Sequence, residues 1–120
     1  MKANILVIDD EESIRFSFHR FLRAQGHIVI TAESYGEALE KMDKIKFVLI
    51  LADVFLADGC GLDILREVMW RSLKTRVIII TAYSNTKTAQ DSFRMRAADY
   101  LVKPIKMATL LDSVNNAIQQ

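Results

Sequence analysis

Short apolar runs alternate with longer amphipathic stretches from one end of the chain to the other. Residues 5–8, 28–30, 47–52, 77–80 and 100–102 are compact, mostly rich in branched side chains, and free of strict in–out alternation. That pattern predicts strands buried on both faces. The stretches between them carry helical spacing. Ile14, Phe18, Phe21 and Leu22 share one face; Ala38, Leu39 and Met42 a second; Leu62, Leu65, Val68 and Met69 a third; Met107, Leu110, Leu111, Val114 and Ile118 a last. A weaker helix, carried by Ala89, Phe93 and Ala97, fits between the fourth and fifth strands. Ser34 followed by Glu37 has the form of a capping box, and Gly26 stands where the first helix should stop. Five strand–helix repeats account for the chain with no linker, low-complexity tract or internal repeat, so one domain over residues 1–120 is expected.

Alternation of this kind predicts an α/β fold, a doubly wound parallel sheet of five strands with right-handed crossovers and helices on both faces. In such sheets ligands bind beyond the carboxyl ends of the strands, where the strand order reverses. The first strand ends at Asp9 and Asp10, the third at Asp53, the fourth at Thr81 and the fifth at Lys103. Three carboxylates, a hydroxyl and an ammonium are thus predicted at one edge.

The stretch NILVIDDEES, residues 4–13, sharpens the point. Two carboxylates about 5 Å apart repel by roughly 3 kcal/mol at an effective dielectric near 20, so setting Asp9 beside Asp10 needs a reason. An acidic first helical turn in solvent suffices for Glu11 and Glu12. Taken singly, a strand-end Asp is usually a turn residue, a strand-end Thr an N-cap, and a Lys before Pro a solvated side chain; convergence of five such positions changes the weighting. Oxygen donors without His or Cys suit a hard divalent cation such as Mg²⁺, and a carboxylate beside that cation suits phosphoryl transfer to an aspartate, with Lys and hydroxyl meeting the phosphoryl oxygens.

Composition narrows the setting. A chain of 120 residues buries enough surface for one core and not two. Charged residues make up 26% with a formal net charge of +1, which gives no electrostatic argument for nucleic acid or an anionic membrane. One cysteine excludes an internal disulfide framework or a cysteine-based zinc site, and the four-residue apolar run before Asp9 is too short for a secretory segment. A cytoplasmic protein without membrane or direct nucleic-acid contact is expected.

At this point the chain resembles the receiver domains of two-component response regulators, over essentially its whole length. The matching pieces are VIDDE at the first strand, LADVFLADGCG around the third, IIITAYS at the fourth and ADYLVKP at the fifth. The resemblance implies a flavodoxin-like (βα)5 fold with strand order 2-1-3-4-5. It implies Asp53 as phosphoacceptor and Mg²⁺ held by Asp10, Asp53 and the main-chain carbonyl of Phe55, with Asp9 acting through water. Lys103 would contact the phosphoryl oxygens, Thr81 would bond the phosphoryl group and carry the switch, and the ring of Tyr100 would follow Thr81. A cis Lys103–Pro104 bond is implied as well. The implied function is a phosphorylation-dependent switch fed by a histidine kinase or histidine phosphotransfer protein. Its changing surface would be the fourth and fifth helices with the fifth strand, used in relatives for homodimers or targets. The chain would be the regulatory domain of a larger transcriptional regulator with its own effector domain, or a stand-alone receiver. It would catalyse only its own phosphorylation and dephosphorylation.

The fit is not uniform. Ala57 and Cys60 stand where relatives often have Pro and an acidic or amide residue, whereas Gly61 keeps the expected glycine; Ala97–Ala98 replaces a common Gly–Ala pair. Cys60 is expected as a small packing or loop residue. Phe55 and Tyr83, two after Asp53 and two after Thr81, hold positions that in relatives influence how water reaches the acyl phosphate. Of the remaining residues, Trp70 is expected to be partly buried, and His19 and His27 to ligate no metal. Phe16 with Ile14 is a candidate kinase-docking contact, and Lys87, Arg94, Arg96 and Lys106 make the late chain basic. Two other classes stay open. A Mg²⁺-dependent aspartyl-phosphate hydrolase would want a DxD segment after the first strand, which DDEES lacks; a receiver-like module that is not phosphorylated would be expected to lose Asp53, Thr81 or Lys103, and all three are present.

Overall fold

A computed structural model describes residues 2–120. Five strands, β1 (Asn4–Ile8), β2 (Ile28–Ala32), β3 (Leu49–Asp53), β4 (Arg76–Thr81) and β5 (Asp99–Val102), alternate with five helices, α1 (Glu12–Ala24), α2 (Tyr35–Lys44), α3 (Gly61–Trp70), α4 (Thr86–Arg94) and α5 (Met107–Gln119). A two-residue hairpin, Phe55–Leu56 against Gly59–Cys60, interrupts the passage from β3 to α3. All pairings among the five strands are parallel, in the order β2-β1-β3-β4-β5. The predicted doubly wound, flavodoxin-like sheet is therefore present, and the order reverses between β1 and β3.

Burial explains the continuous apolar runs. Alternate residues of each strand feed two separate cores. Leu6, Ile8, Ile50 and Ile79 meet α2 and α3 through Ala38, Met42, Ile64 and Leu65; Ile5, Val7, Leu51 and Ile80 meet α1 and α5 through Phe18, Leu22, Leu110 and Val114. With both faces covered, no strand position is left for a polar side chain except the ends. Most strands run past the apolar runs as Thr31, Ala32, Asp53 and Thr81 continue the ladder, whereas β3 begins at Leu49, two residues after the apolar run starts.

The helix boundaries follow local chemistry. Ser34 Oγ accepts from the Glu37 amide at 3.1 Å, while the Glu37 carboxylate accepts from Glu33 N at 3.5 Å, one residue before the predicted capping-box partner. Asn85 Oδ1 accepts from Thr88 N at 2.8 Å and starts α4. Gly26, at φ +96°, ends α1 in the left-handed region. After α3 and α4 the same role falls to Ser72 (φ 54°) and Arg96 (φ 63°), residues that enter this region at some cost.

Three helix-face expectations need correction. Trp70, expected to be partly buried, is 86% exposed, as the last residue of α3. Met69 is also exposed, and the face of α3 is completed by the fully buried Ile64. On α4, Phe93 points to solvent and Ser92 is the buried residue, its hydroxyl satisfied by the Thr88 carbonyl at 2.8 Å. A small inward side chain lets α4 lie close beside α3 and β5.

His27 ties the starts of two strands together. Its Nδ1 accepts from the Ala3 amide at 3.1 Å, beside the Ile28 N to Ala3 O bond at 2.9 Å. Burial holds its pKa below the ordinary 6.5. The unfolded chain therefore takes up the proton first as pH falls. Stability is full above pH 6.5 and declines through the lowered folded pKa, at no more than about 1.4 kcal/mol per pH unit. Urea-unfolding midpoints measured from neutral to mildly acidic pH should show this slope. His27→Gln, which keeps an acceptor for Ala3 without titrating, should flatten it; parallel profiles would assign the pH dependence elsewhere.

Candidate functional site

Because the five strands are parallel, all their carboxyl ends open onto one edge. Asp9 and Asp10 follow β1, Asp53 and Thr81 close β3 and β4, and Lys103 follows β5. Asp9, Asp10, Asp53 and Lys103 meet there, and Thr81 ends the neighbouring strand at the same edge. Asp9, Asp10 and Asp53 each offer a carboxylate oxygen within 4.8 Å of the others. Asp9 and Asp53 are buried and Asp10 is exposed.

One ammonium answers three carboxylates. Lys103 Nζ lies 2.8 Å from Asp9 Oδ2, 3.1 Å from Glu11 Oε1 and 3.2 Å from Asp53 Oδ2, so its three donors are all taken. Glu11, expected to be a solvated first-turn residue, is part of this group. Burial disfavours the charged lysine, but hydrogen bonding and attraction from Asp9, with Asp53 and Glu11, outweigh it and raise the pKa above the ordinary 10.5. Asp53 is pushed above the usual carboxylate range, first by burial and then by Asp9; Lys103 and the Phe55 amide oppose that rise. Asp9 is anchored from the other side. Its Oδ1 accepts from Glu11 N at 2.9 Å, and its carbonyl accepts from Arg15 Nη1 at 2.7 Å. Arg15 is a second contact that no motif marked.

Two local turns bring a pair of rings over this edge. The Phe55 amide donates back to Asp53 Oδ1 at 3.2 Å, and the Tyr83 amide donates back to Thr81 Oγ1 at 3.0 Å. Side-chain acceptance from the amide two residues on is what Asp and Thr do at turns. Both turns throw the following side chain outward, and the Phe55 and Tyr83 rings meet edge-to-face at 5.7 Å with 79° between planes. Both remain largely exposed. Thr81 is fully buried, and Tyr100 lies half-buried against the α2–α3 core with its hydroxyl 3.3 Å from Ser84 Oγ.

The passage from β3 to α3 is held by Gly61, Cys60, Asp63 and Asp58. A Cβ on Gly61 would sit 2.5 Å from the Asp53 carbonyl oxygen, so only glycine fits under the candidate acceptor. Cys60 caps α3: its Sγ accepts from Leu62 N at 3.4 Å while Asp63 Oδ2 accepts from Cys60 N at 3.2 Å. Asp58 accepts from Gly36 N at 2.9 Å and Tyr35 N at 2.8 Å. Those amide bonds lower its pKa and fasten the hairpin to the start of α2. The Lys103–Pro104 bond is cis, as the resemblance implied. No helix among the described residues is long and apolar enough to cross a membrane.

Comparison with known proteins agrees with this geometry. The alginate biosynthesis transcriptional regulatory protein AlgB of Pseudomonas syringae is 39% identical over 103 residues, which are 86% of this chain and 23% of that protein. The chain thus spans about a quarter of the length of the curated relatives it matches. A CheY-like response regulator receiver domain protein from Methanospirillum hungatei superimposes with a TM-score of 0.92 at 28% identity, covering 99% of this chain and 95% of that one. A Burkholderia pseudomallei response regulator, solved with a phosphorylated aspartic acid, a calcium ion and citrate, gives a TM-score of 0.86 at 30% identity, covering 97% and 69%. The family described as the response regulator receiver domain matches residues 5–115, and with the parallel order β2-β1-β3-β4-β5 and its acidic edge this chain belongs to that family.

Proposed function

We propose that Asp53 accepts a phosphoryl group and that this chain is the phosphorylation-driven switch domain of a response regulator. The observation that carries the reading is the meeting of Asp9, Asp10 and Asp53 within 4.8 Å, with Lys103 bonded to the first and the last. The donor set is oxygen only, which fits Mg²⁺, and Asp10, Asp53 and the Phe55 carbonyl would hold the ion directly with Asp9 acting through water. The ion would supply neutralising charge for an anionic donor. An Asp53 oxygen attacks phosphorus as the bond from phosphorus to the donor breaks, and the donor leaves with the electron pair. Lys103 turns its ammonium to the phosphoryl oxygens, and the Thr81 hydroxyl bonds one of them. Tyr100, joined to the β4–α4 loop through Ser84, follows Thr81 and alters the α4–β5–α5 surface. Turnover is confined to the chain's own aspartyl phosphate.

The donor on this reading is a histidine kinase or a histidine phosphotransfer protein, which would dock over α1, where Phe16 is exposed and Ile14 half-buried. The α4–β5–α5 face serves a homodimer or an effector domain. Residues 1–120 form one regulatory domain, and the likeness to AlgB supports a transcriptional regulator in which a separate domain, rather than this one, meets DNA. The setting is cytoplasmic.

Three outcomes test the site. Incubation with acetyl phosphate and Mg²⁺ should add one phosphoryl group by intact mass, and Asp53→Asn should abolish it; undiminished labelling of that variant removes the assignment.

Asp10 makes no contact with Lys103, so in metal-free buffer its charge only repels Asp9 and Asp53. Asp10→Asn should then gain about 1 to 3 kcal/mol, while losing the Mg²⁺-dependent stabilisation, read as a rise in Tm, that mass action gives the parent and that amounts to about 2.7 kcal/mol at a hundredfold excess over Kd. A lower metal-free Tm for the variant would refute the repulsion argument.

The Phe55–Tyr83 ring pair sits on the two turns that flank Asp53 and Thr81, so it restricts the water approaching in line with the acyl phosphate. Phe55→Asn combined with Tyr83→Glu should shorten the phosphorylated lifetime after donor removal at saturating Mg²⁺. An unchanged or longer lifetime would show that the rings do not shield the site.

A further inference from the structure

The opposite edge of the sheet, where the strands begin, carries a groove that phosphoryl chemistry does not use. It is a depression of about 790 Å³ bounded by the ends of α3, α4 and α5 and by the loop that leads into β4. Its floor is apolar, formed by Leu65, Val68, Val77, Met95 and Ile118. A second depression of about 420 Å³, floored by Met42, Phe47 and Ile50, adjoins it across Val48 and residues 72–75. Exposed Met69, Leu73 and Val48 stand on the rims, and Trp70 projects just outside.

The charge around the groove has one sign. Lys74, Arg76, Arg94 and Arg96 line the larger depression and Lys46 joins them at the smaller; no Asp or Glu side chain lines either. None of the five forms an ion pair among the described residues. Three helices end here, and their C-terminal dipoles contribute roughly −0.5 each, about −1.5 in all. Four cations around the larger depression therefore leave an excess of about +2.5. Capping the helix ends does not account for that many.

We propose that this groove docks an acidic amphipathic segment of a partner protein, with apolar side chains seated on the floor and Asp or Glu facing the cationic rim. Met and Arg around an apolar floor, with no Asp or Glu side chain in the lining, follow the enrichment seen in protein-recognition patches. The concave floor is what distinguishes this occupant from others. A lipid surface is met by a convex face, and a phosphodiester backbone brings no apolar side chains to cover Leu65 and Val68. The volume exceeds what one or two side chains fill, and it suits several successive positions on one face of a helix.

The test uses a short synthetic helix with Leu at i, i+3, i+4 and i+7 and Glu at the flanking positions. One control replaces Glu by Lys and another replaces Leu by Ser. Titrated into the ¹⁵N-labelled chain, the acidic amphipathic peptide should bind with Kd of about 1 mM or tighter and shift amides of residues 69–76, 94–96 and 117–119. Both controls should bind about tenfold more weakly. Lys74→Glu with Arg94→Glu should weaken the acidic peptide about tenfold and restore the Lys peptide, and Leu73→Ser alone should weaken both. Each variant should keep its Tm and its phosphoryl uptake at Asp53, so a failure here is separable from a failure of the phosphoacceptor reading. Unmoved groove amides, shifts confined to another face, or equal binding of the controls would overturn the proposal. So would phosphatidylglycerol vesicles or duplex DNA binding through the same cations where the acidic peptide does not.

Discussion

Four carboxylates, Asp9, Asp10, Glu11 and Asp53, crowd one sheet edge with a single ammonium among them, and the arrangement is stable only because Lys103 serves three at once. A lysine buried on an apolar surface would lose its proton readily; here the surrounding carboxylates hold it charged. The balance remains negative by about three charges. Burial first and Asp9 second make Asp53 hold its proton more readily than an ordinary aspartate, and the deficit is why the edge calls for a further cation. Removing Lys103 would leave Asp9 and Asp53 buried without a counter-charge, so the site and the local fold rest on the same contact.

The parallel sheet makes this convergence possible without any strain in the strands. When every strand points the same way and both faces are covered, polar residues are expelled to the ends, and those ends share an edge. Segments distant in sequence then meet: Glu11 reaches Lys103 across 92 positions and Asp53 across 50. Fine adjustment falls to the passage after β3. Gly61 clears the Asp53 carbonyl, Cys60 and Asp63 start α3, and Asp58 fastens the hairpin to α2. Of the two residues there that depart from the family pattern, Cys60 still closes a bond, its Sγ accepting from Leu62 N, whereas Ala57 has no side-chain acceptor to offer.

The architecture and the central residues were legible in the sequence because each is a local signal: an apolar run that stops abruptly at Asp9, Asp53, Thr81 or Lys103. Contacts made by exposed or flexible side chains were not. Glu11 and Arg15 gave no sign that one would meet Lys103 and the other the Asp9 carbonyl, since an acidic or basic first helical turn is ordinary in solvent. Asp58 carried no signal of its own, because only the approach of α2 makes it a cap. Helix faces failed where size misled. Phe93 and Trp70 are the large side chains, but α4 turns the small Ser92 inward, and Trp70, at the end of α3, stays exposed.

Charge also gives the molecule a direction. The net formal charge of +1 conceals an acidic pole at the strand ends and a basic one at the strand starts. A strand of five residues separates them by roughly 16 Å, about two Debye lengths at physiological ionic strength, so neither pole neutralises the other. The acidic pole attracts cations and, unassisted, repels an anionic phosphoryl donor; the basic pole attracts acidic surfaces. Two partners can therefore approach opposite ends of one small domain without competing for space or charge. Any influence of one on the other has to pass through the packed strands and helices between them, because direct Coulomb coupling at that range is screened away.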